Sequence, residues 1–241
     1  MARIGLLYPT RNAGEDDFAD LAGRFRPTLD LAVRYFPWPA DVNDLAGQNL
    51  ATVADAVRRL GSEEHLDAVL PEVATGFDSV AFAVTSSSFL VDPDHQLATL
   101  RRLCGAPATS TTSAFQDAIR VLGLHTVSLA SVYHPSFSDH FVNRLDAHVV
   151  HRVDASAGSD RELAAWPPER IVDLVARAAH PKAQAVLLPE TALHTSRLTA
   201  ELERAAGCPV LTATQVTLWS AARLAGVDPA VAEGAGPLFR P

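Results

Sequence analysis

Cysteine is scarce. Two thiols, Cys104 and Cys208, occur in 241 residues, in no spacing that makes a redox pair or a metal knuckle. Basic residues are outnumbered: 20 Lys and Arg stand against 28 Asp and Glu, giving a net charge of -8. No Lys/Arg cluster is present either, so no nucleic-acid partner is expected. No apolar run approaches a membrane span, so no membrane partner is expected. Met1-Ala2-Arg3-Ile4 leads straight into a strand pattern without a secretory leader, and a cytoplasmic protein is the expectation. No Gly-x-Ser-x-Gly nucleophile elbow occurs. His134, Asp139 and His140 lack a third ligand at a recognised spacing, so no metal and no cofactor are expected. What is present is ordinary globular composition, 48% hydrophobic. That is enough chain for one large domain or two small ones around a real core.

The stretch that organises the rest is Ala185-Val186-Leu187-Leu188-Pro189-Glu190-Thr191. Four consecutive apolar residues read as a strand buried on both faces, stopped by a proline and followed by a carboxylate. In open α/β sheets ligands bind beyond the carboxyl ends of strands. Glu190 is therefore the first candidate for chemistry, with Thr191 beside it and a helix to follow. Further strands are expected at 4–8, 29–36, 79–84, 126–132, 148–153 and 212–215, with a short one after Pro107. Helices are expected from Glu15 and over 49–60, 63–73, 94–103, 114–122, 137–145, 168–179, 198–206 and 217–225. Segments 37–47 and 154–159 read as loops, and 228–241 as an irregular cover. The hydroxyl run Thr85-Ser86-Ser87-Ser88 lies between a strand and a helix, where it serves either as a helix cap or as an anion cradle.

The chain also repeats itself. Gly105-x-Pro107, a hydroxyl-rich turn, a helix carrying Arg120 and then Leu122-Gly123-Leu124 form one copy. Gly207-x-Pro209, a hydroxyl-rich turn, a helix carrying Arg223 and then Ala225-Gly226-Val227 form the other. Val84-Thr85 then corresponds to Glu190-Thr191. The expected architecture is α/β: two pseudo-symmetric Rossmann-like lobes, each a mainly parallel sheet flanked by helices. Their approximate extents are 1–112 with 217–241, and 113–216. Val84-Thr85 and Glu190-Thr191 then face one cleft between the lobes.

Four segments carry a family resemblance in order along the chain. They are Gly5-Leu6-Leu7-Tyr8-Pro9-Thr10-Arg11-Asn12, Thr85-Ser86-Ser87-Ser88-Phe89, Leu129-Ala130-Ser131-Val132-Tyr133, and Thr214-Gln215-Val216-Thr217-Leu218-Trp219 with Arg223-Leu224-Ala225-Gly226. Together they resemble the aspartate/glutamate racemase superfamily, nearest to maleate cis-trans isomerases and arylmalonate decarboxylases. The resemblance implies that Thr85, Ser86 and Thr191 hold a substrate carboxylate. It also implies that Asn12, Pro9, Tyr133 and Gln215 belong to the substrate site. Tyr133 stands with Glu190 in the catalytic pair. His194, four residues beyond Glu190, is a further candidate for reaching the cleft.

The departure from the family is chemical. Its members place a cysteine before the threonine in each lobe; here those positions hold Val84 and Glu190, and both thiols lie elsewhere. Valine neither exchanges a proton nor attacks carbon, so two-thiol racemisation and thiol addition are not expected. Glu190 can still act as a one-sided general acid or base if burial raises its pKa. The leading expectation is cofactor-independent decarboxylation or isomerisation at a carbon next to a carboxylate, with Val84 as an apolar wall. The alternatives are a hydrolase or hydratase in which Glu190 activates water, and a silent carboxylate-binding protein. A lowered Glu190 pKa or an Arg11–Glu190 ion pair favours the silent protein; a raised pKa in a closed pocket favours catalysis. The partner is a small carboxylate. Relatives are often homo-oligomers, and the sequence displays no interface.

Overall fold

In the computed structural model, residues 1–42, 45, 48–232 and 234–240 are described. The first sheet collects β1 (Arg3–Tyr8), β2 (Asp30–Tyr35), β3 (Ser79–Phe82) and β4 (Ala108–Ser110), with α1 (Glu15–Ala22), α2 (Leu50–Leu60), α3 (Glu63–Val69), α4 (Thr85–Phe89) and α5 (Pro93–Cys104) between them. Then α6 (Thr111–Val121) leads into the second sheet. That sheet collects β5 (Thr126–Ser131), β6 (His148–Asp154), β7 (Ala185–Leu188) and β8 (Val210–Thr212). Around it lie α7 (Pro135–Val142), α8 (Asp160–Ala164), α9 (Pro168–Ala178) and α10 (Thr199–Ala206), and α11 (Ala213–Leu224) follows β8.

Both sheets are wholly parallel and share one order, β2-β1-β3-β4 and β6-β5-β7-β8. The duplicated sequence thus folds into a duplicated sheet. The central strands carry unbroken apolar runs because helices cover both faces. The two halves also end alike: Ser110 and Ser113 form a capping box at the start of α6, and Thr212 and Gln215 do the same for α11.

The halves are tied by specific contacts. Helix α11 returns to the first sheet, where Ser79 Oγ donates to the Ala221 carbonyl at 2.8 Å and Ser220 Oγ to Thr109 Oγ1 at 2.9 Å. Phe89 of α4 meets Tyr133 edge-to-face at 5.4 Å and Phe141 of α7 at 5.8 Å. Such pairs contribute about 1 kcal/mol each beyond their buried area. Asp17 of α1 is buried and accepts from the backbone N–H groups of Thr195 and Ser196, both at 3.0 Å. Asp17→Ala strands those donors, so we expect a loss of about 3 kcal/mol, read from urea unfolding with an unchanged slope. Gly14 lets the two halves touch at backbone level. Its φ is +95°, and a Cβ there would fall 2.6–2.7 Å from backbone atoms of Ala192.

Several expectations need correction. The hydroxyl run after β3 is a short helix, α4, and β3 ends at Phe82 rather than Val84. Residues 213–215 are helical, because Thr212 caps α11 through its hydroxyl. Helix α3 stops at Val69. No helix follows Thr191 at once; an irregular turn runs to a 3₁₀ turn at Ser196–Leu198. Helix α8 was not foreseen. The expected loop over 37–47 lies partly outside the described residues, as do two positions of the expected cover over 228–241. The described part of that cover holds 3₁₀ turns at Pro229–Val231 and Pro237–Phe239.

Candidate active site

Strand β7 ends where Pro189 removes the next backbone donor. The chain then turns back on itself, with Glu190 N–H donating to the Leu188 carbonyl at 3.1 Å. This aims the Glu190 side chain inward, where it is only 5% exposed. Ala192 N–H donates to Glu190 Oε1 at 2.7 Å. Burial is the main influence on this carboxyl and the charge of Asp160 the second. They outweigh the backbone N–H groups of Ala192 and Thr191, which favour the anion. The result is a pKa raised to about 7.

Two tyrosines flank it. Tyr133 follows β5, and its hydroxyl donates to the Pro189 carbonyl at 2.9 Å, fixing the turn that carries Glu190. Tyr8, at the end of β1, donates to the carbonyls of Ala13 at 2.6 Å and Thr191 at 3.1 Å. Burial first, then nearby carboxylates, hold both phenols well above their usual pKa, so both are neutral. Thr85, at the start of α4, faces them. Its Oγ1 is buried and has no hydrogen-bond partner within the chain.

These groups line a narrow cavity of about 10 Å³, the space of roughly one water. Of the residues expected at the site, Pro9, Val84, Thr85, Ser86, Tyr133, Glu190 and Thr191 line it. Thr191 has little left to offer a ligand: its hydroxyl donates to the Ala83 carbonyl at 3.3 Å and its carbonyl accepts from Tyr8. Val84, only 8% exposed, supplies an apolar wall.

Three expected residues are not brought to this cavity. Asn12 adopts a left-handed backbone, φ 57°, with its N–H bound to Glu15 Oε1 at 2.7 Å, and stays at the surface. His194 pairs with Asp16 at 2.9 Å. Both instead line a larger, open depression beside α8. Gln215 is consumed by structure: Oε1 accepts from Thr212 N–H, and Nε2 donates to Thr199 Oγ1 and the Ala235 carbonyl. The spacing Thr212-x-x-Gln215, a capping box, already carried that signal. Arg11 lies 3.8 Å from the Tyr35 ring centroid, stacked on the ring rather than paired with Glu190.

Two lining residues were missed. Tyr8 reads from the sequence as the end of a strand, inside the Gly5–Asn12 segment that carries the resemblance, with no site role of its own. Asp160, the first residue of α8, lies in a polar run that reads as solvated surface. It is half-buried, and Thr10 Oγ1 donates to its Oδ2 at 3.4 Å. Burial raises its pKa as well. Among the described lining residues there is no cation. No group of three or more His, Cys, Asp or Glu that could hold a metal ion occurs among the described residues. Cys104 is buried, with its thiol pushed up to about 11 by that burial, and Cys208 is partly buried. Neither lines the cavity.

Residues 48–239 match the family model described as arylmalonate decarboxylase. The arylmalonate decarboxylase of Bordetella bronchiseptica is 30% identical over 149 residues, 58% of this chain and 60% of that protein. The chain thus aligns with somewhat less than two thirds of that relative's length. Among solved structures, a crystal structure of arylmalonate decarboxylase superposes with a TM-score of 0.72 at 23% identity, covering 98% of each chain. The maleate isomerase Iso of Pseudomonas putida S16 gives 0.78 at 15% identity, covering 99% of this chain and 98% of that one. A Nocardia farcinica maleate cis-trans isomerase gives 0.73 at 20% identity over 99% and 98%; that structure carries a covalently bound succinylcysteine intermediate.

Proposed function

The chain belongs to the arylmalonate decarboxylase family, and we propose that it decarboxylates a small substituted malonate, with Glu190 as the proton donor. The observation that carries this reading is the buried Glu190 carboxyl at the end of β7, raised to about 7 in a closed cavity. A carboxylic acid with that pKa is available as a donor near neutral pH and is acidic enough to give its proton up. The silent-binder alternative is disfavoured by the same raised pKa and by the position of Arg11 on Tyr35.

The chemistry runs in one direction on one face. One substrate carboxylate is held by the free Thr85 hydroxyl and the neighbouring Ser86 at the start of α4, with the apolar substituent against Val84. The other leaves as CO₂. Its C–C bond breaks, and the electron pair passes into the retained carboxylate as an enediolate. The Glu190 carboxyl then gives its proton to the carbon, leaving a monocarboxylate and a Glu190 carboxylate that regains a proton from solvent. The Tyr133–Pro189 bond keeps the donor in place throughout. No thiol takes part in any step.

A panel of substituted malonates and maleate, incubated with the protein in D₂O and followed by NMR, tests the reading. The expected result is CO₂ loss with one deuterium placed at the former malonate carbon. Binding without CO₂ loss or deuterium incorporation across the panel would overturn it, and isomerisation of maleate alone would replace decarboxylation by single-base isomerisation. Thr85→Val is expected to leave the unfolding midpoint unchanged or slightly raised, since the lost hydroxyl has no partner inside the chain. Carboxylate affinity is expected to fall about tenfold or more, as suits a hydrogen bond to a charged group. Calorimetric titration with a non-reacting carboxylate checks this.

A further inference from the structure

Asp160 is not a family cysteine position and plays no part in the reaction just described, yet it reaches the same cavity as Glu190 from an element thirty residues earlier. Helix α8 presents it at its first residue, capped by Ser159, whose side chain accepts from Glu162 N–H at 3.3 Å. From the other half of the molecule, Trp38 Nε1 donates to Thr10 Oγ1 at 3.3 Å and Thr10 Oγ1 to Asp160 Oδ2 at 3.4 Å. The carboxyl is thus steered into the cavity by a neutral chain, with no cation among the described lining residues to balance it. Its next neighbour Arg161 lines the outer depression instead. Glu190 uses Oε1 on Ala192 N–H. The other ionisable groups facing the pair are the neutral phenols Tyr8 and Tyr133; further out, Glu15 adds negative charge near Tyr8. Two carboxyls lining one narrow space, with no cation among its described lining residues, disfavour double ionisation.

We propose that Asp160 is a positioning residue for Glu190: the two carboxyls line one cavity without a direct hydrogen bond, their charges oppose each other so that the pair retains one proton, and an anionic substrate enters with that proton in place. Asp160 then serves two opposed ends. Its charge keeps the proton on the pair at neutral pH, which supplies the donor. The same charge repels a substrate carboxylate once the proton is lost, so binding an anion takes up a proton as pH rises. The proton balance is closed, since the proton drawn from solvent on binding or reset is the one delivered to carbon.

The inference rests on Glu190 as the proton donor, but its test does not require turnover. Phenylacetate, a monocarboxylate that cannot lose CO₂ by this route, is titrated calorimetrically into the full chain at pH 6 and pH 8, in buffers of different ionisation enthalpy. Wild type is expected to bind about tenfold more tightly at pH 6, with proton uptake, because one unit of pKa corresponds to a factor of ten. In Asp160→Asn the pH 6 to pH 8 ratio is expected to fall to about three or less, with binding at pH 8 tightened and the Glu190 titration moved to lower pH. Asp160→Glu, which keeps the charge, should restore the wild-type ratio. With an active substrate, Asp160→Asn should lower KM while lowering kcat above pH 7, a split that a scaffold role would not produce. An unchanged Glu190 titration and an unchanged pH ratio in a folded Asp160→Asn protein would refute the shared proton; Asp160→Ala repeats the measurement should the asparagine variant not fold. If the ratio changes as expected but no malonate reacts, the decarboxylase reading fails and the carboxyl pair stands.

Discussion

Glu190→Gln is expected to lower decarboxylation of the best substrate by about 10²–10⁴-fold, the usual contribution of a positioned proton donor. Glutamine keeps the shape and can still accept from Ala192 N–H, so the turn at β7 should survive. What it removes is the transferable proton. Binding of a carboxylate ligand should therefore persist, and tighten at alkaline pH where wild type carries a charge at this position. The pattern, kcat lost and affinity kept, separates loss of chemistry from collapse of the site. In wild type, activity should fall as pH rises through about 7, by tenfold per unit once Glu190 is mostly ionised, because the protonated form is the working one. A Glu190→Gln protein within a few-fold of wild type on an identified substrate would sink the mechanism.

The second large effect is on stability. Glu190 has an ordinary carboxyl pKa near 4.5 when unfolded and about 7 when folded. A raised folded pKa means that the native state binds the proton more tightly. The stabilising contribution is fully present below about pH 4.5 and is lost as pH rises through 7. The difference between the two values corresponds to about 3 kcal/mol. Glutamine has no such dependence. Urea unfolding of wild type and Glu190→Gln across pH 4.5 to 8 should therefore diverge, the variant gaining about 3 kcal/mol relative to wild type by pH 8. Comparing the two proteins at each pH cancels the titration of distant groups, which both share. Parallel stability curves would mean that Glu190 titrates normally in the folded protein. A variant that is more stable and less active is what a strained, desolvated functional group predicts.

Much of this was written locally in the chain. Four apolar residues, a proline and a glutamate define β7 and the turn that buries Glu190, because a strand covered on both faces needs an unbroken apolar run and its carboxyl end is where that run must stop. The paired Gly-x-Pro segments announced the duplicated sheets. What was not legible depends on distance in space. Asp160 sits among Gly158, Ser159, Arg161 and Glu162, a run that reads as solvated surface, and only the packing of α8 over the cleft turns its carboxyl inward. The resemblance points Gln215 at substrate, but its spacing from Thr212 marks a helix start, and its hydrogen bonds serve that cap and the Ala235 carbonyl. Asn12 and His194 were close in sequence to site residues, but a left-handed turn and an ion pair with Asp16 hold them on the outside.

The most direct test of Glu190 as proton donor needs no substrate. Side-chain carboxyl carbons are labelled with ¹³C, and the Glu190 resonance is identified by its loss in Glu190→Gln. It is then followed from pH 3 to 10. A midpoint near 7, moving to lower pH in Asp160→Asn, is the result expected here. A midpoint near 4.5 would leave Glu190 ionised at neutral pH, with no proton to give, and would contradict the mechanism outright.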